Sequence, residues 1–352
     1  MKIVALDLGK SKSVACILDS ITGEHHFDAS PTNPEMFRML LETDRPERVV
    51  IEVSPLAGWV GDLVRGMGME LQVANVNHEA WRWRNVKRKT DRLDALKLAR
   101  LSAANQLPLV HLPQLRMRQW RELIAYRQAL VARRTRVKNR IRAILAMQAL
   151  SMPAGKGGWT AKTIKMLSAL ARPLSEAAED ALWRGELDLE LQQLNQLQEL
   201  LGNVNAKLDA IAATHPGVAL LQTIPGVGPR LAEMVVTAID DPHRFTKGKQ
   251  VGSYVGLTPR QYQSSSMDRQ GRISGQGHRH LRAMLVEVSW LGLRHNCWMR
   301  TVYERVHRGS PARKKVAICA VARRLMVHCW AMLRDGTRWR DPLGDAPAAQ
   351  AA

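Results

Sequence analysis

The chain has 352 residues, 45% of them hydrophobic and 24% charged, which is ordinary for a protein with two or three cored domains. Its charge is not ordinary: 52 Lys and Arg against 32 Asp and Glu give +20 and point to a polyanionic partner. The four cysteines (Cys16, Cys297, Cys319, Cys329) are scattered without a Cys-x-x-Cys pair, which excludes the usual structural zinc and disulfide frameworks and suits a reducing cytoplasm. No run of about 20 apolar residues predicts a transmembrane helix, and Met1 to Gly9 lacks a signal-peptide pattern.

Residues 1–105 alternate strand and helix patterns. Strands are expected at Lys2 to Leu8, Ser13 to Leu18, His25 to Ala29, Arg48 to Val53 and Leu71 to Val76. Helices are expected at Pro34 to Leu41, Leu56 to Met67 and Thr90 to Ala104. A meander followed by strand–helix alternation predicts an α/β layer fold on a mixed sheet.

Four acids occupy positions from which a metal site can be built. Asp7 ends the first strand, Glu52 lies near the end of Arg48 to Val53, and Asp91 and Asp94 open the helix after Lys89-Thr90. A spacing of three puts Asp91 and Asp94 on one helix face. Carboxylates around two Mg²⁺ ions would polarise a phosphodiester. Singly, each has a plainer reading: a strand-to-turn element for Asp7, a surface charge for Glu52, a helix cap for Thr90 and Asp91. Between strand and helix, Trp81, Arg82, Trp83, Arg84, Lys87 and Arg88 combine stacking rings with cations, suited to nucleic acid, though the rings could equally dock on the core.

A long helix is predicted over about 115–150, with Leu123, Leu130, Val137 and Ile144 every seven residues. From Arg116 to Arg142 it has ten basic residues and one acid, Glu122. Arg133, Arg134, Arg136, Lys138 and Arg140 are its candidate nucleic-acid contacts. A second long helix is predicted over about 186–213. Its seam of Leu194, Leu201 and Leu208 with Leu197, Val204 and Ile211 predicts a coiled coil, either with the 115–150 helix or with another subunit.

Beyond His215-Pro216-Gly217 the composition changes. Thr223 to Pro229 reads as a helix-hairpin-helix turn, with Gly226 and Gly228 letting backbone N–H groups approach a phosphate. The stretch Tyr254 to Arg279 gathers serines, glycines and arginines; Arg260 and Arg272 are candidate phosphate contacts. Arg313-Lys314-Lys315 and Arg323-Arg324 sit among apolar residues, as a core helix with a basic outer face, and DNA contact is the second reading.

Asp7, Glu52 and Lys89-Thr90-Asp91-Arg92-Leu93-Asp94-Ala95 resemble the DEDD set of a RuvC-like (ribonuclease H) domain. More narrowly, they resemble the transposases of IS110-type insertion sequences, a group that includes the Piv/MooV invertases. Gly256 to Gln261, a serine, then Gly271-Arg272-Ile273-Ser274 and Gly277 resemble the second domain of the same proteins. There the nucleophilic serine stands in a Ser-Gly-Gly-like segment, which places it at Ser264. Here Ser265 and Ser266 stand where the glycines would be, so Ser265 is a rival and Ser274 a weaker one.

The resemblance implies a RuvC-like domain at 1–105, a helical coiled-coil and nucleic-acid-binding region at 106–215, and a mostly α transposase domain at 216–335. A disordered tail would fill 336–352. It further implies Mg²⁺ on Asp7, Glu52, Asp91 and Asp94, and attack by Ser264 to give a 5′-phosphoserine link. The implied partners are double-stranded DNA and a structured noncoding guide RNA, with a homodimer assembling to a tetramer in the bacterial cytoplasm. A metal-only RuvC-like nuclease, an RNA-independent invertase, a sugar-kinase-type ATPase on Asp7 to Ser11, and a non-catalytic binder are the alternatives.

Overall fold

The computed structural model describes residues 1–75, 90–264 and 267–341. Trp81, Arg82, Trp83, Arg84, Lys87 and Arg88, and also Ser265, lie outside these. The chain divides into two compact units, Met1–Arg118 and Gln119–Ala352. The helical region expected at 106–215 as a domain of its own is therefore shared between them, mostly within the second.

The first unit is built on a five-stranded sheet. Its strands are β1 (Lys2–Asp7), β2 (Lys12–Asp19), β3 (His25–Pro31), β4 (Arg48–Glu52) and β5 (Glu70–Ala74), in the order β3-β2-β1-β4-β5. β1–β2 and β2–β3 pair antiparallel, while β1–β4 and β4–β5 pair parallel. The apolar runs of β1 and β4 follow from burial on both faces. One face carries Val4, Leu6, Val49, Ile51 and Val73 against α1 (Pro34–Asp44) and α2 (Ala57–Gly66). The other carries Ile3, Ala5, Val50 and Ala74 against Ala95, Leu98 and Ala99 of α3 (Asp91–Ala103). Local chemistry sets the helix starts. Asn33 accepts from the Met36 N–H at 2.8 Å ahead of Pro34, and Thr90 accepts from the Leu93 N–H at 3.3 Å.

The second unit begins within α4 (Leu115–Met147). After α5 (Ala161–Leu170), which the sequence reading passed over, comes α6 (Leu182–Ala213). The heptad seam is buried inside this chain: Leu187, Leu191, Leu194, Leu197 and Leu201 of α6 pack with Leu130, Val137, Ile141 and Ile144 of α4. Of the two pairings left open, the intramolecular one therefore occupies these leucines. The remaining helices are α7 (Pro216–Leu221), α8 (Pro229–Ile239), α9 (Gly248–Tyr254), α10 (Arg279–Gly292), α11 (Cys297–His307) and α12 (Lys314–Asp335).

Between α9 and α10 lies an antiparallel hairpin, β6 (Pro259–Ser264) and β7 (Met267–Ile273), in a region expected to be mostly helical. By length and composition the stretch Pro311–Asp335 could cross a membrane. Its Ala317, Val321, Ala322, Leu325 and Met326 are buried in the unit and α12 packs against α9, α10 and α11, which is the behaviour of a core helix. The tail expected from 336 does not begin there. The Trp339 ring meets Trp298 at 5.5 Å, and the Trp339 backbone N–H donates to Thr223 Oγ1 at 3.0 Å.

Candidate functional site

In the first unit, strand parity and helix direction decide where the acids go. Asp7 follows Ile3 and Ala5 on the α3 face, and Glu52 follows Val50 on the same face. Leu6 pairs with Ile51, so the next residues, Asp7 and Glu52, end adjacent parallel strands. Arg48, at the start of β4, donates through Nη1 to the Ser102 carbonyl near the end of α3 at 3.3 Å. The helix thus runs against β4. From Ser102 back to Asp94 it spans about 12 Å, and from Arg48 to Glu52 the strand spans about 13 Å. Asp94 therefore comes level with Glu52.

Asp94 is 7% exposed, whereas Asp91, one turn earlier, faces solvent. The cap reading holds for Thr90, and it does not account for a buried Asp94. The structure thus brings three backbone positions, Asp7, Glu52 and Asp94, to one corner of the sheet with Asp91 at its edge. Among the described residues, no group of three or more His, Cys, Asp or Glu side chains is arranged to hold a metal ion. The fit to a divalent cation is one of placement and of an all-carboxylate donor set, which suits hard ions such as Mg²⁺.

In the second unit, Ser264 is the last residue of β6, pairs with Met267 and is exposed. The base of this hairpin is cross-braced by backbone hydrogen bonds and by Arg282, a residue that no sequence pattern singles out. The segment before β6 and the segment after β7 cross in direct backbone contact. Ser274 N–H donates to the Thr258 carbonyl at 2.8 Å, and Gly275 N–H to the Gly256 carbonyl at 3.2 Å. Arg282 of α10 ties both segments: Nη1 donates to the carbonyls of Val255 (2.8 Å) and Gln276 (2.9 Å), and Nη2 to that of Gly275 (2.7 Å). Tyr254 and His278 close the crossing with a 3.0 Å hydrogen bond between Oη and Nε2. The signal in the sequence was the pair Gly256 and Gly277, both at positive φ (+69° and +76°).

Gly226 (φ +92°) and Gly228 lie in the turn joining α7 to α8. The turn lies beside α10, where a Cβ on Gly226 would make ordinary contact with the Gly292 Cα at 3.5 Å, so the positive φ is what calls for glycine. Arg272 is exposed, while Arg260 donates to the Ser274 carbonyl at 3.4 Å. On α4 the basic residues divide by partner. Lys138 sits 4.6 Å over the Trp159 ring and Arg140 pairs with Glu186. Arg133 and Arg136 are exposed and make no ion pair with a described acid; Arg134 is half-buried.

One turn into α8, Glu233 is 1% exposed and receives Arg230 Nη1 on both oxygens, at 3.0 and 3.2 Å. Burial nevertheless pushes its carboxyl up to about 7, against the pull of Arg230 and Arg127. The folded chain then holds this proton more tightly than the unfolded chain. The stabilisation is full below about pH 4.5 and is lost as pH rises through about 7. Melting temperatures between pH 4.5 and 8 should fall through this window, and Glu233→Gln should flatten the fall. Parallel profiles for the two proteins would rule the assignment out.

Comparison with known proteins gives two family matches. Residues 218–304 match the family model described as "Transposase IS116/IS110/IS902 family", and residues 4–148 match a second model, the DEDD transposase domain of IS110 elements. The chain belongs to the IS116/IS110/IS902 family of transposases. The second match spans the sheet with its corner of acids, and the first spans the serine hairpin. Among relatives, the putative transposase y4rJ of Sinorhizobium fredii is 26% identical over 95% of this chain and 92% of its own length. The transposase for insertion sequence element IS1111A of Coxiella burnetii is 26% identical over 78% of this chain and 74% of its own. The pilin gene-inverting protein of Moraxella bovis is 34% identical over 33% of this chain and 37% of its own.

Proposed function

We propose that this transposase cuts and rejoins DNA through a covalent 5′-phosphoserine link formed by Ser264, with Mg²⁺ held by Asp7, Glu52, Asp91 and Asp94. The observation that carries the reading is the exposed Ser264 at the end of a hairpin whose base is locked by Arg282 and two positive-φ glycines. Such a base holds a nucleophile in place at little entropic cost at the moment of reaction.

In this reading Ser264 Oγ attacks the scissile phosphorus, the P–O3′ bond breaks, and the 3′-oxygen leaves as a hydroxyl. Attack by another strand's 3′-hydroxyl reverses the step and releases the serine, so no bond is lost to water. Arg260 and Arg272, on the same hairpin, supply cationic donors for the developing charge. Bound Mg²⁺ would polarise the phosphate oxygens. The acids of the first unit would hold and orient the cation. Buried Asp94 supplies a fixed carboxylate, because its helix is packed on the sheet.

The exposed Arg133 and Arg136 on α4, with the charge of +20, support a nucleic-acid track along the helix. The guide RNA implied by the family resemblance, and a dimer assembling to a tetramer on DNA, belong to the same proposal. Arg133→Gln with Arg136→Gln should weaken duplex binding equally across sequences and reduce the slope of log K against log salt by about 1.8. A slope unchanged by the pair would move the track elsewhere. The likeness to the pilin gene-inverting protein favours inversion between two sites as the second reading.

The test is a denaturing gel of the protein with Mg²⁺, DNA bearing its element's ends, target DNA and RNA from the element's flanking region. A covalent protein–DNA band that needs the metal supports the proposal. Cleaved DNA with no covalent band overturns the serine step, and reaction without RNA overturns RNA guidance and favours inversion.

A further inference from the structure

The second unit contains a cavity of about 530 Å³ that none of the chemistry above employs. One wall is Gly248 and Gly252 of α9 with Thr258. The opposite wall is Arg323, Arg324, Val327 and His328 of α12, and Trp298 of α11 closes an end. A Cβ on Gly248 would stand 2.9 Å from Val327 Cγ1, and one on Gly252 would stand 3.3 Å from Arg323 Cγ. The two helices thus meet at glycines, and the side chains of α12 beyond that contact line the space.

The charges in this cavity are unbalanced. Arg323 and Arg324 are consecutive and half-buried, and among the described residues neither has an acid within ion-pair distance. Lys249 adds a third cation at the mouth. Taking a cation partly out of water without a counter-ion is costly, and placing two side by side adds repulsion. An anion would relieve both costs. The rest of the lining is mostly apolar. Trp298 is 5% exposed, and its ring is set edge-on to His328 at 4.6 Å and 82°. Burial, and then Arg324, hold His328 below its ordinary range, so it is a neutral donor or acceptor at pH 7. A ligand with an anionic group and a flat, weakly polar body fits this division.

Position narrows the ligand further. Thr258 immediately precedes β6, which ends at Ser264. Six residues of strand span about 20 Å, which is about six stacked nucleotides of one strand. We propose that this cavity takes one unstacked nucleotide of the DNA strand, its phosphate on Arg323, Arg324 and Lys249 and its base against Thr258, Val327 and Trp298. Its placement near the cut rests on the Ser264 reading; nucleotide capture does not.

The test uses the full chain and a labelled single-stranded DNA of the element end, with binding measured by anisotropy over a salt series. Arg323→Gln/Arg324→Gln should lower affinity about tenfold at 0.1 M salt and reduce the salt slope by about 1.4. The melting temperature of the double variant should stay level or rise, because two uncompensated cations are removed. Unchanged affinity and slope would overturn the proposal. A lower melting temperature with the slope retained would make the pair structural and would also overturn it.

Abasic substitution, one position at a time, tests the base. One sensitive position in wild type, made insensitive in the double variant, supports nucleotide capture. No sensitive position overturns it in favour of phosphate contact alone, and equal or tighter binding of the matching RNA overturns the commitment to DNA. A sensitive position more than about six nucleotides from the cut leaves the cavity standing and removes Ser264 as the nucleophile.

Discussion

Ser264→Ala should abolish the covalent protein–DNA band, lowering its rate of formation by at least about a thousandfold, with DNA affinity essentially unchanged. The size of the effect follows from the role proposed for Ser264: without the attacking hydroxyl the covalent bond does not form, whereas binding is spread over many cations. Ser264 pairs with Met267 across the hairpin and is exposed. Its replacement by alanine removes one oxygen and no buried contact, so a folded variant is expected. Ser265→Ala, run beside it, should retain the band. Loss in Ser265→Ala and survival in Ser264→Ala would move the nucleophile one residue along. Ser274 is a poorer rival, because its backbone is engaged at the hairpin base by Thr258 and Arg260.

Gly277→Ala should destabilise the second unit by about 3 kcal/mol or more. Two costs add. The residue has φ +76°, which a residue with a Cβ adopts only at a price of about 1–3 kcal/mol. The new Cβ would also stand 2.1 Å from the Tyr254 carbonyl oxygen, and that backbone cannot retreat while Arg282 holds the neighbouring Val255 carbonyl. Gly23→Ala is the control: φ is also +76°, with nothing within 4 Å of the new Cβ, so only the conformational cost remains. Denaturant unfolding measures both. Equal losses at the two glycines would show that the crossing of 254–258 with 274–278 yields easily, and would remove the rigid base from the argument about Ser264.

Much was legible because it is local. Alternating apolar residues, the Asn33-Pro34 and Thr90 caps and the heptad leucines gave the strands and helices of the first unit and the two long helices to within a few residues. These signals lie in consecutive residues and need no knowledge of the rest of the chain. The charge of +20 is equally a property of the sequence, and it named the class of partner. Asp7, Glu52, Asp91 and Asp94 could be picked out as a set by type and position.

Tertiary structure decided which surfaces those elements present. Identical seven-residue spacing serves an intramolecular or an intermolecular seam, and burial of Leu194 and Leu201 against Leu130 and Val137 is a fact of packing. Asp91 and Asp94 share one helix face by spacing, yet only Asp94 is buried, because α3 runs against β4 and turns that residue onto the sheet. Arg282 touches Val255, Gly275 and Gln276, which a linear pattern cannot pair with it, and the basic residues of α4 look alike until Glu186 and Trp159 engage Arg140 and Lys138. Sequence by itself determined the elements of the first unit, the two long helices, the charge and the candidate acids and serines, because periodicity and residue type are local. Facing, burial and unpaired charge were decided by contacts between residues far apart in the chain, and those exist only once it has folded.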